Sequence, residues 1–232
     1  MVPFRSNLAS KLILRVASLS FLVLCQAALT ADQAIITSWL NAQTNILSWS
    51  ADVTQVRSLK TLTQPLSATG HVWFAAPNQF RWEIGKPAQT IAVRKSDEML
   101  VIYPRLKRAE RYAFNGQQNG PWKETLALLE AGFPRNEADL TRQFRILRVN
   151  DAKEAVRLDL EPRSAAGKRM MPRLSISFSP QDFMLRETEL QFADGSTMRN
   201  IFTNPVLNPN VDPALFDPKL SPDYKIVEPM KQ

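Results

Sequence analysis

Hydrophobic and polar residues alternate with a period of two along much of the chain. In the segment APNQFRWEI, Phe80, Trp82 and Ile84 fall on one side, and Arg81 and Glu83 fall on the other. This period is typical of a strand with one buried and one exposed face. We therefore predict a strand whose apolar face carries two aromatic side chains and whose charged face contacts water.

Similar alternating runs recur along the chain and are bounded by Pro, Gly, Asn or Asp residues. Their apolar positions are Trp49, Ala51 and Val53; Val72 and Phe74; Ile91 and Val93; Phe144 and Ile146; Val156, Leu158 and Leu160; Leu174, Ile176 and Phe178; Leu190 and Phe192. Many strands with one apolar face each predict an antiparallel sheet that is wetted on one side. The other side of that sheet must be covered.

Two segments have helical patterns that can supply this cover. The first runs from Gln33 to Leu47, with apolar residues at near-helical spacing. The second, PWKETLALLEAG, has Pro at its start and Gly at its end, and Leu126 and Leu129 fall on one of its faces. Two helices are too few to cover every strand, so we predict a partly filled concavity. The proline-rich tail from Asn204 is expected to follow the surface in extended or turn segments.

The first 31 residues have the organisation of a bacterial secretory signal. Arg5, Lys11 and Arg15 accompany the apolar run VASLSFLVL, and the segment ends on the small residue Ala31. The run is about half as long as the ~20 residues that cross a membrane. We expect residues 1–31 to be a signal peptide and residues 32–232 to form one periplasmic domain with a proline-rich C-terminal segment.

Cys25 is the only cysteine in the chain, and it leaves an alternative open. In a lipoprotein signal this cysteine would be acylated and become the new N-terminus. Leu24 stands before it, where such signals have a small residue. Cleavage after Ala31 would instead leave a chain without a thiol, and therefore without a disulfide or a thiolate metal site.

The chain is mildly basic outside this segment. The formal net charge is +7, and removing the three basic residues of the signal leaves +4. The positive residues are spread along the chain, so attraction to anionic headgroups or to a negative partner surface is less favoured than solvated strand faces. No aromatic-basic recognition motif indicates a nucleic acid partner.

The sequence offers almost no catalytic constellation. His71 is the only histidine and is expected to be an exposed residue at a strand edge; no G-x-S-x-G signature accompanies it. Scattered carboxylates indicate no metal site and no cofactor. Glu187 and Glu189 lie two apart, as a glycoside hydrolase pair could, but a solvated strand face predicts the same spacing. We therefore expect a protein without enzymatic activity and without catalytic residues.

Four segments occur in an order that is found in one known family. They are SWSADVTQ from Ser48, GHVWFAAPNQFRWE from Gly70, MLVIYP from Met99, and the ending from Asn204 to Phe216. Their order resembles that of the LolA-like periplasmic carriers of outer-membrane lipoproteins, and the resemblance spans nearly all of residues 32–232. The most specific part is the G-x-(apolar)-W-(apolar) segment followed by P-x-x-F-x-W.

The resemblance implies a mainly β fold of the α+β class, an unclosed antiparallel β-barrel with helices over its concave apolar face. It implies that the acyl chains of a lipoprotein are held between sheet and helices. The residues expected to contact these chains are Val72, Phe74, Phe80, Trp82, Ile84, Ile91, Val93, Leu126 and Leu129.

The implied partners are lipidated proteins, an inner-membrane release complex and an outer-membrane acceptor, with the chain acting as a monomer. A membrane-attached receptor or envelope-stress sensor on the same fold is the alternative. One position departs from the family. Family carriers commonly have an Arg immediately before the proline of P-x-x-F-x-W, where it helps to hold the helices closed, and Ala76 stands there in this chain.

Overall fold

The computed structural model describes residues 32–95, 97–113, 134 and 136–229. Cys25 and the predicted signal lie outside the described residues, and so do Leu126 and Leu129. The chain divides into two units, Met1–Trp39 and Leu40–Gln232. The entire sheet belongs to the second unit. No helix among the described residues is long and apolar enough to span a membrane.

Residues 32–43 form the first helix (α1), which confirms the predicted N-terminal helix but ends before Leu47. Residues 32–39 of this helix lie in the first unit, where Thr37 Oγ1 donates a hydrogen bond to the Gln33 carbonyl at 2.9 Å. Its last turn lies in the second unit, where Gln43 Nε2 donates to the Phe183 carbonyl at 3.2 Å. The amide is thereby satisfied at a position that is almost fully buried.

Twelve strands form one open sheet in the described part of the chain. They are β1 (Ser48–Ser58), β2 (Leu66–Ala75), β3 (Gln79–Ile84), β4 (Thr90–Arg94), β5 (Glu98–Tyr103), β6 (Arg108–Ala113), β7 (Phe144–Asp151), β8 (Val156–Pro162), β9 (Arg173–Phe178), β10 (Leu185–Gln191), β11 (Thr197–Leu207) and β12 (Lys225–Val227). Their order is β12-β6-β5-β4-β3-β2-β1-β11-β10-β9-β8-β7. All neighbours are antiparallel except β12 and β6, which are parallel. The predicted unclosed antiparallel sheet is confirmed, with one parallel pair at its edge.

Short helices connect some of the strands. They are α2 (Glu137–Gln143), α3 (Ala165–Met170) and the 3-10 helices Pro104–Leu106 and Pro213–Phe216. The side chains of Asn136 and Ser164 accept hydrogen bonds from Asp139 N and Gly167 N, which caps the exposed backbone donors at the starts of α2 and α3. These helices were not predicted, because each is shorter than two turns of hydrophobic periodicity.

The register divides the side chains of the sheet between two faces, because residues paired across antiparallel strands point to the same side. The inner face carries Trp49, Val53, Val72, Phe80 and Phe202. The outer face carries the residues between them in sequence, such as Asp52, His71 and Arg81. The alternation read from the sequence therefore gives two chemically different sides.

The tail after β11 crosses the outer face of β3–β6. Leu220 and Tyr224 pack against Leu100, Ile102 and Ala109 there. The tail ends in β12, whose Lys225 N donates to the Lys107 carbonyl at 2.8 Å. Strand β5 is therefore covered on both faces, which explains why its sequence EMLVIY is an almost continuous apolar run.

Candidate functional site

The inner face of β2 and β3 brings together five of the predicted contact residues. Val72 is paired with Trp82 and Phe74 with Phe80 across the two strands, and Ile84 continues the same face opposite Gly70. The register therefore places five of the predicted residues on one face, namely Val72, Phe74, Phe80, Trp82 and Ile84. Their role in lipid contact stays a prediction.

These residues differ in exposure from the inner face at the other end of the sheet. On β8 and β9, Leu158, Leu160, Leu174 and Ile176 have no exposed surface, as expected of a filled core. On β2 and β3, Phe74, Trp82 and Ile84 are only partly buried. Part of the accessible apolar surface on this face therefore lies on β2 and β3.

An aromatic cluster shows that the sheet curves toward its inner face. Trp82 meets Phe202 edge-on with 5.8 Å between ring centroids, and Trp49 meets the same ring at 5.4 Å. Trp82 lies on β3 and Phe202 on β11, three strand spacings apart in the sheet order. In a flat sheet their backbones would be about 14 Å apart, at ~4.8 Å per strand. Curvature brings the two rings together over β1 and β2 and makes this face concave.

Phe202 is an inner-face residue that the sequence analysis did not identify. Its run TMRNIFTN places Arg199 and Asn200 next to the apolar positions, so the alternation is weak. Asn200 shares the inner face and is satisfied there, because Gln55 Nε2 donates to its Oδ1 at 3.0 Å and its own Nδ2 donates to Thr188 Oγ1 at 3.1 Å. A buried amide within an apolar strand face hides the period from sequence inspection.

The inner face continues from β3 onto β4, β5 and β6. Phe80, Met99, Val101 and Tyr112 form one buried cluster, and Trp82 packs against it. Tyr112 Oη donates to Glu110 Oε2 at 2.6 Å. Burial and this hydrogen bond raise the pKa of Tyr112 well above its ordinary value, so the phenol stays neutral. This part of the face is apolar with a satisfied polar edge.

Arg94 places a positive charge on the same face. It is the cross-strand partner of Phe80 on one side and of Met99 on the other. Its neighbour Lys95 points to the outer face, where it forms an ion pair with Asp217. Burial lowers the pKa of Arg94, because a less polar environment disfavours its charge. A cation therefore lies beside the aromatic surface of β3.

Ile91 and Val93 do not lie on this face. Ile91 is paired with Glu83 and Val93 with Arg81, so both point to the outer side of the sheet. Ile91 packs there in the cluster that contains Leu220. The sequence shows an alternating run on β4 but not its phase relative to β3, and the phase decides the side.

The prediction that Arg81 and Glu83 contact water was also wrong. The C-terminal tail covers them: the Arg81 side chain is 15% exposed and pairs with Glu83 at 2.6 Å. Arg81 Nη1 also donates to the Leu215 carbonyl at 3.0 Å. Strand β3 is therefore covered on its outer face by polar contacts with the tail, which the alternation could not indicate.

His71 lies on an interior strand of the sheet instead of at an edge. Its Nδ1 is 2.9 Å from Asp52 Oδ1, and its ring centroid lies 4.2 Å from that of Trp73 with the two ring planes tilted by 49°. Asn204 Nδ2 also donates to Asp52 at 2.9 Å. The hydrogen bonds from Asn204 and His71 lower the pKa of Asp52, which stabilises its charge. No nucleophilic hydroxyl joins His71 and Asp52 among their described hydrogen bonds, so the pair gives no catalytic triad.

The two carboxylates that could have formed a hydrolase pair are bound by arginines on the outer face. Glu187 Oε2 lies 2.5 Å from Arg199 Nη2, and Glu189 Oε2 lies 2.9 Å from Arg157 Nη2. Arg157 also reaches Glu187 at 3.7 Å. This arrangement is a surface ion-pair network. Among the described residues no group of three His, Cys, Asp or Glu side chains is arranged to hold a metal.

Comparison with known proteins gives one family. The family described as outer membrane lipoprotein carrier protein LolA matches residues 44–219. This range begins just before β1 and includes all strands except β12. No curated protein matches the chain.

Several solved structures are similar at low identity. An uncharacterised conserved protein from Thermus thermophilus is 12% identical with a TM-score of 0.49, over 85% of this chain and 99% of that one. A LolA superfamily protein from Nitrosomonas europaea is 10% identical with a TM-score of 0.40, over 77% and 96%. A putative outer membrane lipoprotein-sorting protein domain from Vibrio parahaemolyticus is 7% identical with a TM-score of 0.44, over 79% and 95%.

Proposed function

This chain belongs to the LolA family of outer membrane lipoprotein carriers, and from that premise we propose that it carries lipidated proteins through the periplasm. Acyl chains would be held on the inner face of β1–β3, against Val72, Phe74, Phe80, Trp82 and Ile84. The observation that carries this proposal is the concave aromatic surface around Trp82 and Phe202.

Exposing acyl chains to water costs free energy. Each exposed CH₂ group forfeits about 0.8 kcal/mol, so a lipidated protein needs a partner that hides its chains while it crosses an aqueous compartment. The partly exposed Phe74, Trp82 and Ile84 supply apolar surface for such contact, whereas the fully buried side chains of β8 and β9 do not. Binding through apolar burial requires no chemical reaction, and we propose that the protein catalyses none.

The carrier would act between two membranes. Cargo would come from an inner-membrane release complex and pass to an outer-membrane acceptor, with the chain acting as a monomer after residues 1–31 are removed. Intact mass of the mature protein, purified from the membrane and soluble fractions together, distinguishes this from a membrane-attached receptor. A chain beginning near Asp32 supports the carrier, and a diacylated Cys25 contradicts it.

The decisive test compares two tryptophans on opposite faces of neighbouring strands. Trp82→Glu places a charge on the inner face, where a charge without a partner is costly to bury. Trp73→Glu is the matched control, because Trp73 lies beside Arg81 on the outer face. We expect Trp82→Glu to lose most acyl-chain binding and Trp73→Glu to keep it, measured with a fluorescent fatty acid and by mass spectrometry of copurified lipoproteins.

Both variants must first be compared with the wild type for thermal unfolding. If Trp82→Glu unfolds, Trp82→Gln replaces it, since that change removes the ring without adding a charge. A folded Trp82 variant that binds fatty acid and lipoprotein as the wild type does would refute the proposed site. Equal losses in the Trp82 and Trp73 variants would also refute it.

A further inference from the structure

Three hairpin loops lie at the same end of the sheet. They are residues 59–65 between β1 and β2, 85–89 between β3 and β4, and 104–107 between β5 and β6. The six strands are consecutive neighbours and span about 24 Å at ~4.8 Å per strand. The 85–89 and 104–107 loops end at about the same level, whereas the β1–β2 hairpin continues about four residues past Gly70, so its loop projects beyond the other two. We call these three loops, with the adjoining Leu66, the basic rim.

The three loops carry cations and no acidic residues of their own, while Asp194 and Asp223 approach Lys60 and Lys107 from neighbouring segments. Their four exposed cations are Lys60, Lys86, Arg105 and Lys107. Lys107 pairs with Asp223 of the tail at 3.3 Å, whereas the other three form no ion pair with a described residue. The loops at the opposite end of the same strands carry Lys95 and Asp97, whose charges cancel. Positive charge is therefore concentrated at one end of this half of the sheet.

Large apolar side chains project between these cations. Leu62, Leu66 and Leu106 are 46%, 51% and 71% exposed. Leu106 belongs to the 3-10 helix Pro104–Leu106, and Lys107 N donates to the Pro104 carbonyl at 3.2 Å to close that turn. The turn holds an exposed leucine between Arg105 and Lys107. Single exposed leucines are common on proteins, but here two hairpins at the same end of the sheet each present exposed leucine beside lysine or arginine.

We propose that the basic rim docks on the surface of an anionic phospholipid bilayer. Leu62 and Leu106 would enter the boundary between headgroups and acyl chains, while Lys60, Lys86 and Arg105 would lie near the lipid phosphates. Apolar insertion combined with electrostatic attraction is how peripheral segments bind anionic membranes. An acidic protein surface is less favoured, because lysine is depleted at the cores of protein interfaces. The inference does not depend on the carriage of lipoproteins, since docking requires no cargo.

The charge contribution can be measured with vesicles. The assay uses the protein purified in the form that the cell produces after any processing, and its N-terminus is established by intact mass. This protein is sedimented with phosphatidylglycerol–phosphatidylcholine vesicles, and the bound fraction is measured. We expect the double variant Lys86→Gln and Arg105→Gln to bind about 25-fold more weakly, since each cation near an anionic surface contributes about fivefold. The matched control is Arg148→Gln with Lys153→Gln, which has the same net charge. Both control residues are exposed and lie outside the rim, so binding should change by less than about twofold.

The apolar contribution is measured with two leucines at opposite ends of the strands. Leu106→Ser should weaken vesicle binding several-fold, whereas Leu47→Ser should not, although Leu47 is 68% exposed. Three outcomes would overturn the proposal. They are no binding of the intact protein to phosphatidylglycerol vesicles, equal binding to pure phosphatidylcholine, or equal losses in the rim and control variants.

Discussion

Phe80 and Arg94 face each other across β3 and β4, so the guanidinium group lies beside the aromatic surface of the inner face. A charge in this position favours ligands that present a negative group next to their acyl chain. We expect Arg94→Gln to weaken binding of a fluorescent fatty acid about tenfold and to leave binding of a neutral monoacylglycerol within about twofold. Competition titrations with the two ligands measure the difference.

Lys95→Gln serves as the control for this prediction, because the neighbouring cation lies on the outer face with Asp217. It should leave both ligands unaffected. Parallel losses for the charged and the neutral ligand in Arg94→Gln would mean that Arg94 only maintains the shape of the face.

Gly70 allows β2 and β3 to approach each other closely next to Ile84 of the candidate site. A Cβ built on Gly70 would lie 1.8 Å from the Glu83 carbonyl oxygen, so an alanine requires the backbone to move. We expect Gly70→Ala to lower the free energy of unfolding by about 1–3 kcal/mol, as overpacking does. Gly195→Asn is the comparison: nothing lies within 4 Å of its Cβ position, so only its positive φ opposes a side chain, and Asn adopts positive φ more readily than most residues. Urea unfolding of both variants measures the difference, and equal midpoints would contradict it.

Asp159 should make the free energy of unfolding depend on pH in the acidic range. Burial tends to raise the pKa of Asp159, but hydrogen bonds from Ser175 and Arg157 outweigh it and lower the pKa below 3.8. A lowered pKa in the folded state means that this carboxylate stabilises the fold above about pH 4 and loses that effect as the pH falls through the folded-state pKa. Asp159→Asn should therefore cost about 1–3 kcal/mol near pH 6.

The difference between Asp159→Asn and the wild type should shrink as the pH falls through the folded-state pKa of Asp159, because both side chains are then neutral. Thermal unfolding between pH 6 and pH 2.5 measures this, with Asp151→Asn, exposed at the end of β7, as the control. A difference that persists unchanged at the lowest pH would show that the substitution acts through packing.

Glu187 should be dispensable for ligand binding. Its carboxylate lies in the outer-face network with Arg199 and Arg157, and such partly exposed pairs contribute at most about 1 kcal/mol. Glu187→Gln should therefore keep full binding of fatty acid and unfold at nearly the wild-type temperature. Loss of binding, or of any hydrolytic activity present in the wild type, would mean that the outer-face carboxylates have a functional role.

The alternating runs predicted eight of the twelve described strands, all but β5, β6, β11 and β12, and did not predict how the strand faces correspond. Alternation placed Phe80, Trp82 and Ile84 on one side of β3 because that information is local to a strand. Ile91 and Val93 on β4 alternate equally well, yet the register turns them to the outer side. Register depends on turn geometry and on pairing along the whole strand, neither of which an apolar run records.

Coverage of the outer face was also beyond the sequence pattern. Arg81 and Glu83 have the composition of a solvated face, and the tail that covers them has the composition of a surface segment. Their burial results from contacts such as Arg81 with the Leu215 carbonyl, which join distant parts of the chain. Phe202 was missed for a related reason, since a buried, hydrogen-bonded Asn200 interrupts the apolar period of β11.

The pairing of β1 with β11 has a consequence for how the protein folds. Apart from this pair, antiparallel neighbours in the sheet are consecutive strands, so β1–β6 and β7–β11 are two meanders that can form from local contacts. Joining them requires Val53 to meet Phe202, which closes a long loop and is expected to be the slow step. Until β11 has been synthesised and released, β1 remains an unpaired edge with an apolar face, a template for aggregation. The newly synthesised chain should therefore need a chaperone most during that interval.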